Sequence, residues 1–347
     1  MSFIPGGTPM RKMKAVILKE VKNLDSLRLE EFPYPTPAEG QAVVQIKAAA
    51  LNHRDVWIVQ GLYAKIKLPV VLGSDGSGIV VEVGAGVDKS WIGREVIINP
   101  SLNWGVDPRA QGANYRILGM PDNGTQAEYV VIPAQNLVEK PAYLSFEEAA
   151  AIPLGGLTGY RALFTRGRLK AAETVLITGI GGGVASLMMQ MALAAGARVI
   201  VTSGSDRKLQ DALKKGAAGG ANYRQTDWVQ QIKQIAAPRG VDLVIDSAGG
   251  EGFARLVEIV NAGGRIVFFG ATAGNPSQIN LRRIFWRQVD LMGTTMGSPV
   301  DFSEMVRLFE MHQIRPIIDK IHKIEDYQSA YERMMKGEQF GKIVLQL

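Results

Sequence analysis

Four glycines, Gly179, Gly181, Gly182 and Gly183, separate an apolar run at Val175, Leu176 and Ile177 from a stretch in which Val184, Leu187, Met188, Met191 and Ala192 recur at helical spacing. The order reads as buried strand, turn and helix, and a second apolar run, RVIVT, follows it. Glycine lets a backbone turn tightly and approach a pyrophosphate, whose charge is met by free N–H groups and the positive end of the helix dipole. The chemistry expected here is dinucleotide binding, with the pyrophosphate docked across Gly181, Gly182, Gly183 and Val184 up to Ala185. The spacing is Gly179-x-x-Gly182-x-x-Ala185 instead of G-x-G-x-x-G, so the alternative is a plain βα turn.

The second apolar run ends in VTSGSDRK. In NAD-preferring sites an Asp or Glu about 20 residues past the glycine turn binds the adenosine ribose hydroxyls. Ser203 stands in that place, and no carboxylate follows until Asp206. Ser203, Ser205, Arg207 and Lys208 offer hydroxyls and cations to a 2′-phosphate, which an acid would repel. The expected cofactor is therefore NADPH.

Other chemistry is sparse. The chain has no cysteine and three histidines, which excludes disulfides and thiolate metal sites. His312 and His322 lie in no carboxylate–histidine cluster and read as structural, and no general acid with a paired base stands out. At 347 residues the chain suits two domains. Its net charge of +6 comes without a dense Lys/Arg run, which argues against a nucleic-acid stripe and suits a phosphorylated cofactor. No apolar run nears the ~20 residues of a membrane span. The head, residues 1–12, lacks the apolar core of a signal peptide and reads as a loose tail, so a cytoplasmic location is expected.

Elements that could position this chemistry follow in chain order. Residues 13–155 carry short β-like runs punctuated by Gly and Pro, MKAVIL, AVVQIKAAALN, GSGIVVEVGAGV, REVIIN and AEYVVIP, which predict a β unit, a partly open barrel. A long loop over residues 99–124 interrupts it, and loops of that length usually carry function or its remnant. SFEEAAAIP predicts a short helix with Ser145 as N-cap and Glu148 closing a capping box. Over residues 156–298, VLIT, RVIVT, VDLVID, GRIVFFG and VDLMGTT alternate with helical segments, so this is an α/β unit with a parallel sheet. Residues 299–347 read as two helices and a final strand, KIVLQL, that returns to the first domain.

The strings LNHRDVWIVQGLY, VLGSDGSGIVVEVGAGV, GLTGYRAL, the glycine turn and FGKIVLQL together resemble the medium-chain dehydrogenase/reductase superfamily, over nearly the whole chain. The resemblance implies a Rossmann doubly wound parallel sheet plus a GroES-like catalytic domain. Zinc-dependent members place their catalytic ligands where this chain has Asn52, Ser74, Asp75 and Leu154, and a four-cysteine lobe in the region of residues 99–124. Neither donor set is present, so no metal is expected. What remains resembles the zinc-free quinone oxidoreductase and enone reductase branch, which moves a hydride from NADPH to a quinone or an α,β-unsaturated carbonyl.

By match to that branch, Asn52, Tyr63 and Thr158 face the nicotinamide and substrate. The alternatives are that Asn52 holds a turn, Tyr63 is a loop aromatic and Thr158 caps a helix. Lys208 followed by Tyr223 in ANYR matches the branch's phosphate-binding pair, and Phe269 completes the expected cofactor contacts. The resemblance also implies a homodimer through the edge of the Rossmann sheet near VDLMGTTM. Competing readings are an alcohol or aldehyde dehydrogenase with a metal held elsewhere, and a non-catalytic NADPH-binding protein, crystallin-like or RNA-binding. The lack of an aromatic–basic cluster argues against RNA.

Overall fold

The structure is a computed structural model and describes residues 11–347. The N-terminal half holds β1 (Lys12–Leu18), β2 (Leu27–Pro33), β3 (Gln41–Ala50), α1 (His53–Val59), β4 (Val70–Val71) and β5 (Asp75–Val83). It continues through β6 (Glu95–Ile98), β7 (Ser101–Leu102), β8 (Arg116–Ile117), β9 (Tyr129–Pro133) and β10 (Leu137–Glu139). Helices α2 (Phe146–Ala150) and α3 (Pro153–Tyr160) follow, and a π-helical turn, Arg161–Arg166, extends α3. The middle alternates β11 (Thr174–Ile177), α4 (Gly183–Ala194), β12 (Arg198–Ser203), α5 (Asp206–Lys214), β13 (Gly219–Asn222), α6 (Trp228–Ala236) and β14 (Val241–Asp246). It ends with α7 (Gly250–Ile259), β15 (Val260–Phe268), α8 (Leu281–Arg287) and β16 (Asp290–Gly293). The chain closes with α9 (Pro299–Met311), β17 (Ile318–Lys323), α10 (Tyr327–Met335) and β18 (Lys342–Gln346).

Six parallel strands form the second sheet in the order β13-β12-β11-β14-β15-β16. The order runs outward from β11 in both directions, so the two chain halves diverge between β11 and β14 and open a crevice at their carboxyl ends. Val175, Leu176 and Ile177 are fully buried because helices cover both faces of this sheet. Residues 155–159 explain how α3 seats on α4. A side chain at Gly159 would lie 2.6 Å from Met188 Cγ and one at Gly155 3.0 Å from Leu187, so the small residues permit the helices to touch.

The N-terminal sheet is organised around β3, which pairs with β5, β9 and the C-terminal β18. The expected return of the last strand is therefore a backbone pairing, Val344 to Gln346 against Ala50 to Ala48. The Ser145–Glu148 capping box is present at the start of α2. Several elements differ from expectation. Strand β1 begins at Lys12, inside the segment read as a loose tail, while residues 1–10 of that tail lie outside the described residues. The sequence Gly219–Asn222 carries almost no β propensity, yet it forms β13 through its parallel register with β12. Strands β2 and β17 and helix α8 were likewise not expected. The loop over residues 99–124 is pinched into an antiparallel pair, β7 with β8.

Candidate active site

The glycine turn lies at the tip of β11, in the crevice. Gly179 and Gly181 hold φ of 67° and 120°, values that L side chains rarely adopt. No side chain caps α4, so its first N–H groups are left for a ligand. Two lysines bracket the turn: a Cβ at Gly181 would meet Lys208 Cδ at 2.7 Å, and one at Gly183 would meet Lys342 Cδ at 2.6 Å. Across the crevice Asp246, at the end of β14, accepts from Thr178 Oγ1 at 2.7 Å and from the Gly249 N–H at 2.8 Å. The Phe269 N–H donates to Asp246 O at 3.1 Å, which places this expected cofactor contact beside the turn.

The polar residues expected at the adenosine end converge. Ser203 is buried and its Oγ accepts from the Ser205 N–H at 3.2 Å, at the entry to α5. Gly204 is flanked by Tyr223 and Arg224, since a Cβ there would stand 2.7 Å from the Tyr223 hydroxyl and 3.0 Å from Arg224 Nε. Arg207 donates to Glu338 O at 3.3 Å, and Lys208 Nζ to Gly337 O at 2.7 Å. Partial burial, then the charge of Arg207, lowers the Lys208 pKa from its ordinary value. Arg224 was not singled out in the sequence; a second cation directly after Tyr223 was the available signal.

On the β-rich side of the crevice, Asn52 precedes α1 and is buried. Its Nδ2 donates to Asp75 Oδ2 at 2.9 Å, and its Oδ1 accepts from Lys342 Nζ at 2.9 Å. The Lys342 ammonium also donates to Asp75 Oδ2 at 2.7 Å and to Leu51 O at 2.9 Å, which uses all three of its protons. Asp75 Oδ1 accepts the Leu154 N–H at 2.7 Å, and the Thr158 hydroxyl donates back to Leu154 O at 2.8 Å. A chain of contacts thus links Asn52 and Thr158 through Asp75 and the start of α3. The Thr158 proton is spent on that carbonyl, so in this arrangement its oxygen is an acceptor; it back-bonds within α3 instead of capping a helix. Tyr63 stands apart from the chain, half-buried, with the Arg54 guanidinium 5.1 Å from its ring.

Arg54 is neither solvated nor paired with a carboxylate. It is buried and donates to Ser74 Oγ at 2.7 Å, Leu118 O at 2.9 Å and Met120 O at 3.3 Å. Asp55 is fully buried and accepts the Asn52 N–H at 2.9 Å; burial pushes its pKa up to about 6, against the pull of Arg54. His53 lies at the mouth of the crevice, where crowding, then the charges of Lys342 and Lys208, hold its pKa below the ordinary imidazole value. Lys342 is the site residue that sequence reasoning misses, because within FGKIVLQL no local feature sets it apart.

These residues do not make a zinc site. The carboxylate and amide oxygens at Asp75 and Asn52 face an ammonium, Ser74 faces a guanidinium, and Leu154 has no donor in its side chain. Among the described residues no group of three or more His, Cys, Asp or Glu could hold a metal ion. Nor is any helix among them long and apolar enough to cross a membrane.

Residues 38–142 match the family model for the alcohol dehydrogenase GroES-like domain, and residues 183–311 the model for zinc-binding dehydrogenase. A zinc-type alcohol dehydrogenase-like protein of Schizosaccharomyces pombe is 34% identical over 344 residues, covering 96% of this chain and 99% of that one. A protein of the same description from Leptosphaeria maculans is also 34% identical, over 92% of this chain and 94% of its own. A crystal structure of an NAD-dependent alcohol dehydrogenase, 37% identical, superposes with a TM-score of 0.91 over 96% of this chain and all of that one. With its GroES-like sheet, its parallel sheet opening at a glycine turn and relatives matched over nearly their full length, the chain belongs to the medium-chain dehydrogenase/reductase superfamily of nicotinamide-dependent oxidoreductases.

Proposed function

We propose that the protein is a zinc-independent, NADPH-dependent reductase of quinones or α,β-unsaturated carbonyls. The observation that carries this reading is the Asn52–Asp75–Lys342 network, in which an ammonium stands among the residues matched to zinc ligands. NADPH, when bound, supplies the hydride, and the protein's task is to align the acceptor and stabilise charge on its oxygen. A conjugated acceptor spreads that charge, so hydrogen-bond donors serve in place of a Lewis acid. Asn52 offers one: its amide carries two hydrogens, of which Asp75 takes one. Lys342, with its side chain over Gly183, holds a positive charge between this amide and the pyrophosphate turn.

The choice of NADPH rests on Ser203, Ser205, Arg207, Lys208, Tyr223 and Arg224, a set of hydroxyls and cations with no acid at the second strand's end. The 37%-identical solved structure is described as NAD-dependent, so the two cofactors must be compared directly. Purified protein is expected to oxidise NADPH with phenanthrenequinone or a straight-chain enal, at a KM well below that for NADH, and to carry no stoichiometric zinc. One equivalent of tightly bound zinc together with turnover of simple alcohols would replace this reading by that of an alcohol dehydrogenase, the description its relatives bear. We further propose a cytoplasmic homodimer that binds neither nucleic acid nor membrane.

A further inference from the structure

The short segment between α10 and β18 touches both ends of the cofactor site. Where it leaves α10, Lys208 Nζ donates to Gly337 O at 2.7 Å and Arg207 to Glu338 O at 3.3 Å. Further on, the Phe340 N–H donates at 3.0 Å to Asp319 Oδ1, a carboxylate that Arg333 of α10 also holds. The Gly341 N–H then donates to Gly181 O at 3.1 Å, in the glycine turn. Lys342 follows directly, with its ammonium on Leu51 O, Asn52 Oδ1 and Asp75 Oδ2. Residues 337–342 thus run from the cations of the adenosine end to the amide of the reacting end.

The two ends of this segment are held unequally. Lys342 is buried, and its backbone N–H donates to Ile317 O at 2.9 Å beside the pairing of β18 with β17 and β3. Gly341 has a φ of 108°, and a Cβ there would lie 2.2 Å from Ile317 O, so the turn into β18 has no room for a side chain. Gly337 and Glu338 are exposed, and what reaches them from α5 is a pair of long cationic side chains. Solvent-exposed bonds of that kind open readily. Neither cation is exhausted by them. An ammonium has three protons and a guanidinium five, and each gives one to the segment. A phosphate can take protons that remain while both carbonyls keep theirs, and charge-assisted bonds to it would hold the two side chains still.

We propose that Lys208 and Arg207 are positioning residues as well as phosphate ligands: with a 2′-phosphate bound they clamp residues 337–342 and so fix Lys342 against Asn52 and Asp75, an inference that rests on the NADPH reading above. The phosphate then contributes to turnover and not to affinity alone. NADH, which lacks it, leaves the segment loose at Gly337 and the Asn52 amide less firmly aimed.

Hydrogen exchange of residues 337–342 reads the clamp without turnover. Saturating 2′,5′-ADP should slow exchange there by about tenfold. Saturating 5′-ADP, whose phosphates both lie at the pyrophosphate end, should leave it nearly unchanged. Lys208→Met keeps the length of a part-exposed side chain and removes its charge. It should abolish the protection at saturating 2′,5′-ADP, and it should lower kcat with NADPH to the value for NADH in addition to raising KM. Equal protection by the two nucleotides, or none from 2′,5′-ADP that binds, would overturn the proposal and leave the NADPH reading standing. A Lys208→Met enzyme with a raised KM for NADPH and a wild-type kcat would overturn it as well, since Lys208 would then serve affinity alone. If 2′,5′-ADP binds no more tightly than 5′-AMP, the NADPH reading fails and takes this inference with it.

Discussion

Asp55 shows how a buried charge in this site makes stability depend on pH. Its carboxyl is fully buried, Oδ1 has no partner among the described residues, and its pKa is raised from 3.8 to about 6, chiefly by burial. The folded chain therefore holds this proton more tightly than the unfolded chain. The associated stabilisation is fully present below the unfolded value and is lost as pH rises through the folded one, a swing on the order of 3 kcal/mol. Asp55→Asn keeps an acceptor for the Asn52 N–H and titrates nothing. Its melting temperature should fall less than that of the wild type between pH 4 and 7, and superimposable profiles would remove Asp55 as the cause. Single residues of this site were only partly legible in the sequence. Asn52 and Tyr63 could be placed because their local strings match a known pattern. Lys342 could not, because its partner Asp75 is 267 positions away and nothing near Lys342 marks it as buried. Arg54 is illegible for the same reason: its partners are Ser74 and two carbonyls that only the folded loop brings near.

Elements were more legible where burial writes a pattern. The apolar runs of β11, β12, β14 and β15 are continuous because both sheet faces are covered, and the amphipathic spacing of α4 to α7 records one covered face. β13 carries no such record, since two of its four residues are glycines and its register is imposed by β12. A side chain at Gly219 would lie 2.4 Å from Ile235, so the glycine is there to let α6 close over the strand. The turn between β11 and α4 supplies the test at this scale. Gly181 has a φ of 120°, and a Cβ there would press on Lys208. Gly181→Ala should cost about 1–3 kcal/mol of stability through backbone strain. It should also weaken NADPH binding by at least tenfold, because it displaces both the turn that receives the pyrophosphate and the lysine over it. Fluorescence titration of NADPH reads the second effect, and an unchanged Kd would mean that the pyrophosphate docks elsewhere.

At the scale of the whole molecule, the parallel sheet ends at β16 with one side unpaired. A free edge presents N–H and C=O groups to any strand that can reach it, and the commonest soluble oligomers are two-fold dimers in which the same patch meets itself. Helix α8, which precedes β16 in the chain, leaves Leu281 70%, Phe285 66% and Trp286 81% exposed. Apolar surface of this kind next to an open edge suits the homodimer proposed above, in which a second copy of the chain would carry the matching surface. β16 also leads directly into the site: Thr294 N–H donates to Phe268 O at 3.0 Å, and two residues later Met296 touches Thr158. Pairing of two β16 edges would therefore brace the floor of both crevices. The protein should elute with the mass of two chains by light scattering. Replacing Phe285 and Trp286 with Glu together should give a monomer with unchanged far-ultraviolet circular dichroism, because neither side chain is part of the core. If that monomer retains full turnover, each crevice is complete within one chain. If it loses turnover while still binding NADPH, the edge holds the Met296–Thr158 contact in place. A wild-type monomer at micromolar concentration would sink the dimer itself and require another reason for three large apolar side chains to face solvent on one short helix.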